Sequence, residues 1–125
     1  MKANELRIGN IVGAITIDHP VRVTDISISY GYEDGMIEAD TFSERPIDDF
    51  VPIPLTEEWL LKLGFKKEWP TYGIKITEDL TLAISPGNGY VFVNINDDVV
   101  RSIQFVHQLQ NIYFALTGQE LEIKP

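Results

Sequence analysis

Ser102-Ile103-Gln104-Phe105-Val106-His107-Gln108-Leu109-Gln110-Asn111-Ile112-Tyr113-Phe114-Ala115-Leu116-Thr117-Gly118-Gln119 runs for eighteen residues without an Asp, Glu, Lys or Arg. In a chain that is 23% charged, about four such residues would be expected over that length. The polar members are amides and hydroxyls instead, among them Gln104, Gln108, Gln110 and Asn111. The apolar spacing predicts a helix from about Phe105 to Thr117, closed by Gly118. Phe105, Val106, Leu109, Ile112, Tyr113 and Leu116 fall on one broad face, the candidate core. Burying them contributes on the order of 10–15 kcal/mol before chain entropy is subtracted. The opposite side carries His107, Asn111 and Phe114, where a surface helix would place Lys or Glu. Two readings stay open for that side. Either the rest of the chain covers it, or His107, Asn111 and Phe114 form a contact surface for a partner or ligand.

Outward from this helix the chain reads as two halves. In the first, Gly9-Asn10 separates Leu6 and Ile8 from Ile11-Val12, a pair suited to a tight turn. Asp18-His19-Pro20 reads as a turn after Ile15-Thr16-Ile17. Residues 21–28 alternate apolar and polar, the period of a half-buried strand. Residues 31–35 turn the chain again, and Met36-Ile37 resumes a strand toward Phe42. Pro46, Pro52 and Pro54 then mark an extended seam, because proline disfavours helix in the residue before it.

The second half opens on a short helix with both ends marked. Thr56 is placed to cap it, Glu57 and Glu58 suit its positive end, Leu55 and Leu60 occupy the staple positions, and Gly64 stops it. Residues 72–76, 80–84, 90–95 and 99–103 read as strands. Pro86-Gly87-Asn88-Gly89 supplies the strongest hairpin signal. Leu121 and Ile123 suggest a last short strand. The expected fold is therefore α+β: an N-terminal antiparallel β-rich half, residues 1–54, packed on a C-terminal half, residues 55–125. That second half holds a short helix, antiparallel strands and the core helix. The expectation is one compact unit.

Composition narrows the function classes. The chain has 125 residues, no cysteine and a formal charge of -9. The missing cysteine removes disulfides, thiolate metal sites and cysteine nucleophiles. The acidic balance argues against gripping a phosphate backbone. It sits in the first half: residues 1–58 hold 12 Asp/Glu against 4 Lys/Arg. The first residues carry charge at once, which leaves no signal-peptide core, and no run approaches the roughly 20 apolar residues of a membrane helix. The cytoplasm is the expected location.

Motifs for chemistry are sparse. The two histidines, His19 and His107, have no His or Cys neighbour at metal-ligand spacing. Glu33, Asp34, Glu38, Asp40, Glu44, Asp48 and Asp49 have the oxygens that Mg²⁺ or Ca²⁺ prefers, but not the order of an EF-hand. Gly87-Asn88-Gly89 precedes a strand rather than a helix, so it reads as a turn and not a phosphate loop. No serine stands in a G-x-S-x-G setting. Trp59, Trp69 and Tyr72 suit base stacking, but only Lys62, Lys66, Lys67 and Lys75 accompany them.

Three blocks carry a resemblance. They are Leu6-Arg7-Ile8-Gly9-Asn10 with the residues before it, Ile53-Pro54-Leu55-Thr56-Glu57-Glu58-Trp59-Leu60-Leu61-Lys62-Leu63-Gly64-Phe65, and Val106 to Gly118. In this order they resemble an uncharacterised family of short bacterial proteins, also seen in prophage-like settings. The resemblance implies no activity and no catalytic residues. The opening, Leu6 to Val12, is also similar to the first strand of small SH3-like barrels in phage proteins. The expected function is thus a non-enzymatic binding or adaptor protein of mobile-element origin. It is expected to take a protein partner or to self-associate, without nucleic acid, membrane, metal or cofactor. Two alternatives remain: a metal-dependent hydrolase or nuclease using the acidic 33–49 segment, and an acidic decoy that imitates DNA.

Overall fold

The computed structural model describes residues 1–29, 31–68, 71–78, 80–86, 91–96 and 98–123, without the side chains at 28–29, 32–33, 86, 91–93 and 98–101. The fold is α+β, with two five-stranded antiparallel sheets and two α-helices among the described residues. The chain divides into two units, residues 1–53 with 106–111, and residues 54–105 with 112–125. The division runs through the long helix. Among the described residues no helix is long and apolar enough to cross a membrane.

The first unit is a meander: β1 (Ile11–Ala14), β2 (Ile17–Ser29), β3 (Tyr32–Ala39) and β4 (Phe42–Pro46). A single 3₁₀ turn, Ile47–Asp49, leads to β5 (Phe50–Val51), which returns to β1, so the order is β4-β3-β2-β1-β5. The thirteen-residue β2 serves two neighbours: Ile17, Val21 and Arg22 pair with β1, and Val23 onward pairs with β3. Its inner face supplies Val21 and Val23, which join Leu6, Val12, Ile37, Ile47 and Phe50 in one buried cluster. Phe42 and Phe50 meet edge to face, with ring centres 6.2 Å apart.

Three expectations for this half are corrected. Asp18-His19-Pro20 is not a turn but part of β2; the turn is Ile15-Thr16, between Ala14 and its partner Ile17. Proline fits there because β2 runs from Ile17 to Val21 opposite only Ala14 to Val12, and a bulge needs no ladder N–H from every residue. The strand expected to run to Phe42 ends at Ala39, and the acidic stretch before the prolines contains β4. Its exposed Ser43 and Glu44 carry no apolar signal to mark a strand.

The second unit contains α1 (Glu57–Lys62) and five consecutive strands in the order β10-β9-β8-β7-β6. These are β6 (Lys66–Glu68), β7 (Thr71–Thr77), β8 (Leu80–Pro86), β9 (Val91–Ile95) and β10 (Asp98–Ile103). The ends of α1 are as read. Thr56 Oγ1 accepts from the Trp59 N–H at 3.3 Å, and Gly64 (φ 91°) closes the helix. The Gly64 N–H reaches the Leu61 carbonyl and the Phe65 N–H the Leu60 carbonyl, the paired bonds of a Schellman motif. Leu60 and Phe65, which flank that motif, are both buried. Thr56→Ala should destabilise the protein by about 1 kcal/mol in urea unfolding, because the Trp59 N–H loses its acceptor.

The β6 strand went unread because its three residues are all exposed. The hairpin signal at 87–89 lies outside the described residues, although Pro86 and Val91 pair on either side of it. No last strand forms at Leu121–Ile123; Leu121 is buried without a ladder. The long helix, α2, spans Val106–Thr117, and Gly118 (φ 72°) ends it.

Candidate functional site

The first half of α2 holds a polar cluster with the N-terminal segment of the same unit. Gln110 is fully buried, as is Asn10, and both lie beside strand β1. The Gln110 Oε1 accepts from the Ile11 backbone N–H at 2.8 Å and from Asn10 Nδ2 at 3.5 Å, while its Nε2 donates to the Gly9 carbonyl. Asn111 Oδ1 accepts from Asn10 Nδ2 at 2.8 Å and from Arg7 Nε at 3.1 Å, and its Nδ2 donates to the Glu5 carbonyl. The first and third resembling blocks therefore meet through side-chain amides. The second block joins the third by the Val106 N–H to the Ile53 carbonyl, and the Leu55 N–H bonds the Gln104 carbonyl just before that block. These residues help specify the fold, since each amide bonds a main-chain group, the Ile11 N–H on Gln110 being a buried one.

The side of α2 opposite the expected core is thus not one exposed surface. His107 is buried at 1% exposure, Asn111 is half-buried and engaged by Arg7 and Asn10, and Phe114 is 37% exposed. Burial holds the His107 imidazole below its ordinary pKa; the Glu5 carboxylate, 3.9 Å from Nε2, acts the other way. Sequence reading missed Gln110 as a buried anchor. The available signal was the run of amides on an uncharged helix.

Two groups of acidic residues stand out, while Asp40 accepts from the Arg22 N–H at 3.2 Å apart from both and the Glu33 side chain is not among those described. Asp34, Asp48 and Asp49 line a cavity of about 400 Å³ with Gly31, Gly35, Pro46 and Ile47. Asp25, Glu38 and Glu44 are exposed on the outer face of β2, β3 and β4. Asp25 and Glu38 pair directly across the two strands. The Glu44 carboxylate accepts from Ser27 Oγ at 3.1 Å, reaching past Met36, which is the cross-strand partner of Ser27. Three arginines of this region are engaged elsewhere. Arg7 is bound to Asn111, Arg22 donates to the Gly9 carbonyl at 2.9 Å, and Arg45 pairs with Asp49 over the Phe42 ring. Among the described residues no Lys or Arg pairs with Asp25 or Glu38, and no three His, Asp or Glu converge where they could hold a metal ion.

Two of the four lysines of the second unit's cluster are paired with carboxylates. Lys62 bonds Glu58 at 3.1 Å and lies 5.0 Å from the Trp59 ring centre, and Lys67 bonds Glu57 at 3.3 Å. Hydrogen bonds from Tyr72 and Lys67 hold the Glu57 carboxyl below the usual range, tying α1 to β6 and β7. Trp69 lies outside the described residues. His19, expected in a turn, is an exposed residue of β2. No protein-family model, no curated protein and no solved structure matches the chain.

Proposed function

We propose that this is a non-enzymatic cytoplasmic binding protein of the short bacterial, prophage-associated kind, whose acidic sheet face takes a basic segment of a partner protein. The supporting observation is Asp25 directly opposite Glu38, with Glu44 beside them and, among the described residues, no Lys or Arg paired with Asp25 or Glu38. Like charges facing each other across a ladder cost about 0.2–1 kcal/mol, a cost that a bound Lys or Arg would remove. Met36, half-buried between Ser27 and Pro46, gives the same face an apolar centre. The meander with β5 returned to β1 is consistent with an SH3-like reading of the first unit.

The test is titration of synthetic Lys/Arg-rich peptides by calorimetry at low and moderate salt. Binding should weaken as salt rises, since exposed charges are screened. The double variant Asp25→Asn/Glu38→Gln should bind several-fold more weakly while unfolding at a slightly higher denaturant concentration. Peptide affinity unchanged in that variant, or no binding by the wild type at low salt, would remove the proposal. Heat on titrating Mg²⁺, Mn²⁺ or Ca²⁺ instead would favour a metal-dependent activity of the 33–49 segment. Competition by the protein for a DNA-binding partner of duplex DNA would favour the decoy reading.

A further inference from the structure

The sheet of the second unit buries Tyr72, Leu82 and Ile84 on one face of β7 and β8. The opposite face carries a cavity of about 430 Å³ whose lining includes Lys66, Glu68, Gly73, Lys75 and Thr81. Strand register brings these five together. Lys66 pairs with Gly73 across β6 and β7, and Lys75 pairs with Thr81 across β7 and β8. Lys75 lies two residues beyond Gly73, and Glu68 two beyond Lys66, so all share one face. Lys66 and Lys75 are diagonal neighbours in the ladder, about 7–8 Å apart at the backbone. Their long, flexible stems let both ammonium groups reach one small molecule. Gly73 is the floor, and the Glu68 Oε2 lies 3.6 Å from where a Cβ on Gly73 would stand.

The charges of this cavity are not spent on one another. Elsewhere in the same lysine cluster, Lys62 holds Glu58 and Lys67 holds Glu57. Among the described residues no carboxylate pairs with Lys66 or Lys75, and no cation pairs with Glu68, although the three line one cavity. Two ammonium groups and one carboxylate are the charge complement of a molecule with two carboxylates and one ammonium. A plain anion would meet the Glu68 carboxylate at the floor. An ammonium on the same molecule turns that repulsion into attraction. The volume falls within the roughly 300–1,000 Å³ of small-molecule sites.

We infer that this face binds an acidic α-amino acid, with its two carboxylates on Lys66 and Lys75 and its ammonium on Glu68. The Thr81 hydroxyl adds a donor at the rim. Each contact is an exposed charge pair and contributes little, so binding is in the millimolar range and weakens with salt. The site lies wholly in the second unit and does not depend on the reading of the acidic face in the first.

An NMR titration of the full chain at constant ionic strength tests this. L-Glutamate at up to about 20 mM should shift the Gly73 and Lys75 amides and leave Val23, in the first unit, in place. Glutarate lacks the ammonium and L-glutamine lacks the second carboxylate, so each should bind about two- to five-fold more weakly. Glu68→Gln should abolish the preference for glutamate over glutarate. Lys66→Met should weaken glutamate about two- to five-fold. Both side chains are exposed, so both variants keep the fold. In Gly73→Ala the added methyl makes no contact closer than 3.6 Å, yet it raises the floor and should weaken every ligand. No shift at Gly73 with about 20 mM glutamate would overturn the inference. So would glutarate binding as well as glutamate, a preference that survives Glu68→Gln, or an affinity unchanged in Lys66→Met or Gly73→Ala.

Discussion

Gln110→Ala is expected to cost about 3–5 kcal/mol of unfolding free energy, a large fraction of the stability of a domain this size. Two effects add. The side chain is fully buried, so its removal leaves a cavity. It also accepts from the Ile11 N–H at 2.8 Å, a buried donor that loses its acceptor once the amide is gone, whereas the Gly9 carbonyl, to which Nε2 donates, keeps its bond from Arg22. Gln110→Leu separates the two, because leucine fills most of the space and leaves the Ile11 N–H without its acceptor. A loss of about 2–3 kcal/mol in Gln110→Leu would place most of the cost on the hydrogen bonds. Chemical denaturation gives both values, and the Ile11 amide should lose its hydrogen-exchange protection first. A loss under about 1 kcal/mol in Gln110→Ala would mean that the polar cluster does not anchor α2 to strand β1.

What could be read in advance divides by distance along the chain. Helix α1 was readable at both ends because its stop signals act within a few residues: Thr56 on Trp59, Gly64 and Phe65 on Leu61 and Leu60. The extent of α2 was readable for the same reason, from the apolar spacing and Gly118. Strands with an alternating pattern, such as residues 21–28, also declared themselves. By contrast, β4 and β6 are short and polar, and only their backbone partners identify them. Pro20 misled for a related reason: a proline reads as a turn unless the partner strand shows that a bulge accommodates it.

The candidate sites follow the same rule. The absence of charge from residues 102–119 pointed to burial; His107 and Gln110 are buried, but of the expected core face only Val106 and Leu109 are, with Phe105, Ile112, Tyr113 and Leu116 half-buried and Phe114 and Ala115 exposed. Which groups those residues satisfy could not be read, because Gln110 and Ile11 stand 99 positions apart. The acidic composition of residues 1–58 was plain, but composition cannot say which carboxylates share a face. Only the register of β2 on β3 puts Asp25 opposite Glu38, and only the Ser27–Glu44 bond adds the third.

Gly35→Ala should destabilise the first unit by about 2–5 kcal/mol, for two independent reasons. Sequence reading placed Gly35 in the same turn as Gly31; it lies instead inside β3, where Tyr32 to Met36 stands opposite only Ser29 to Ser27. In that bulge Gly35 takes φ 110°, a conformation open to glycine and strained for alanine by about 1–3 kcal/mol. A methyl group there would also stand 2.4 Å from the Ala3 Cβ, an atom fixed to the backbone of the Ala3–Glu5 turn and unable to swing aside. The N-terminal segment would have to shift, disturbing Leu6 in the core and Arg7 on Asn111. A double-mutant cycle with Ala3→Gly distinguishes the two costs, since removing the Ala3 methyl relieves the clash and leaves the φ strain. Gly35→Ala in the Ala3→Gly background should then cost only about 1–3 kcal/mol, read as a partial recovery of the denaturation midpoint. Full recovery would mean that the bulge tolerates alanine. No recovery would mean that the close approach of the N-terminal turn to β3 contributes nothing, and that the turn is held by the α2 amides and the buried Leu6 alone.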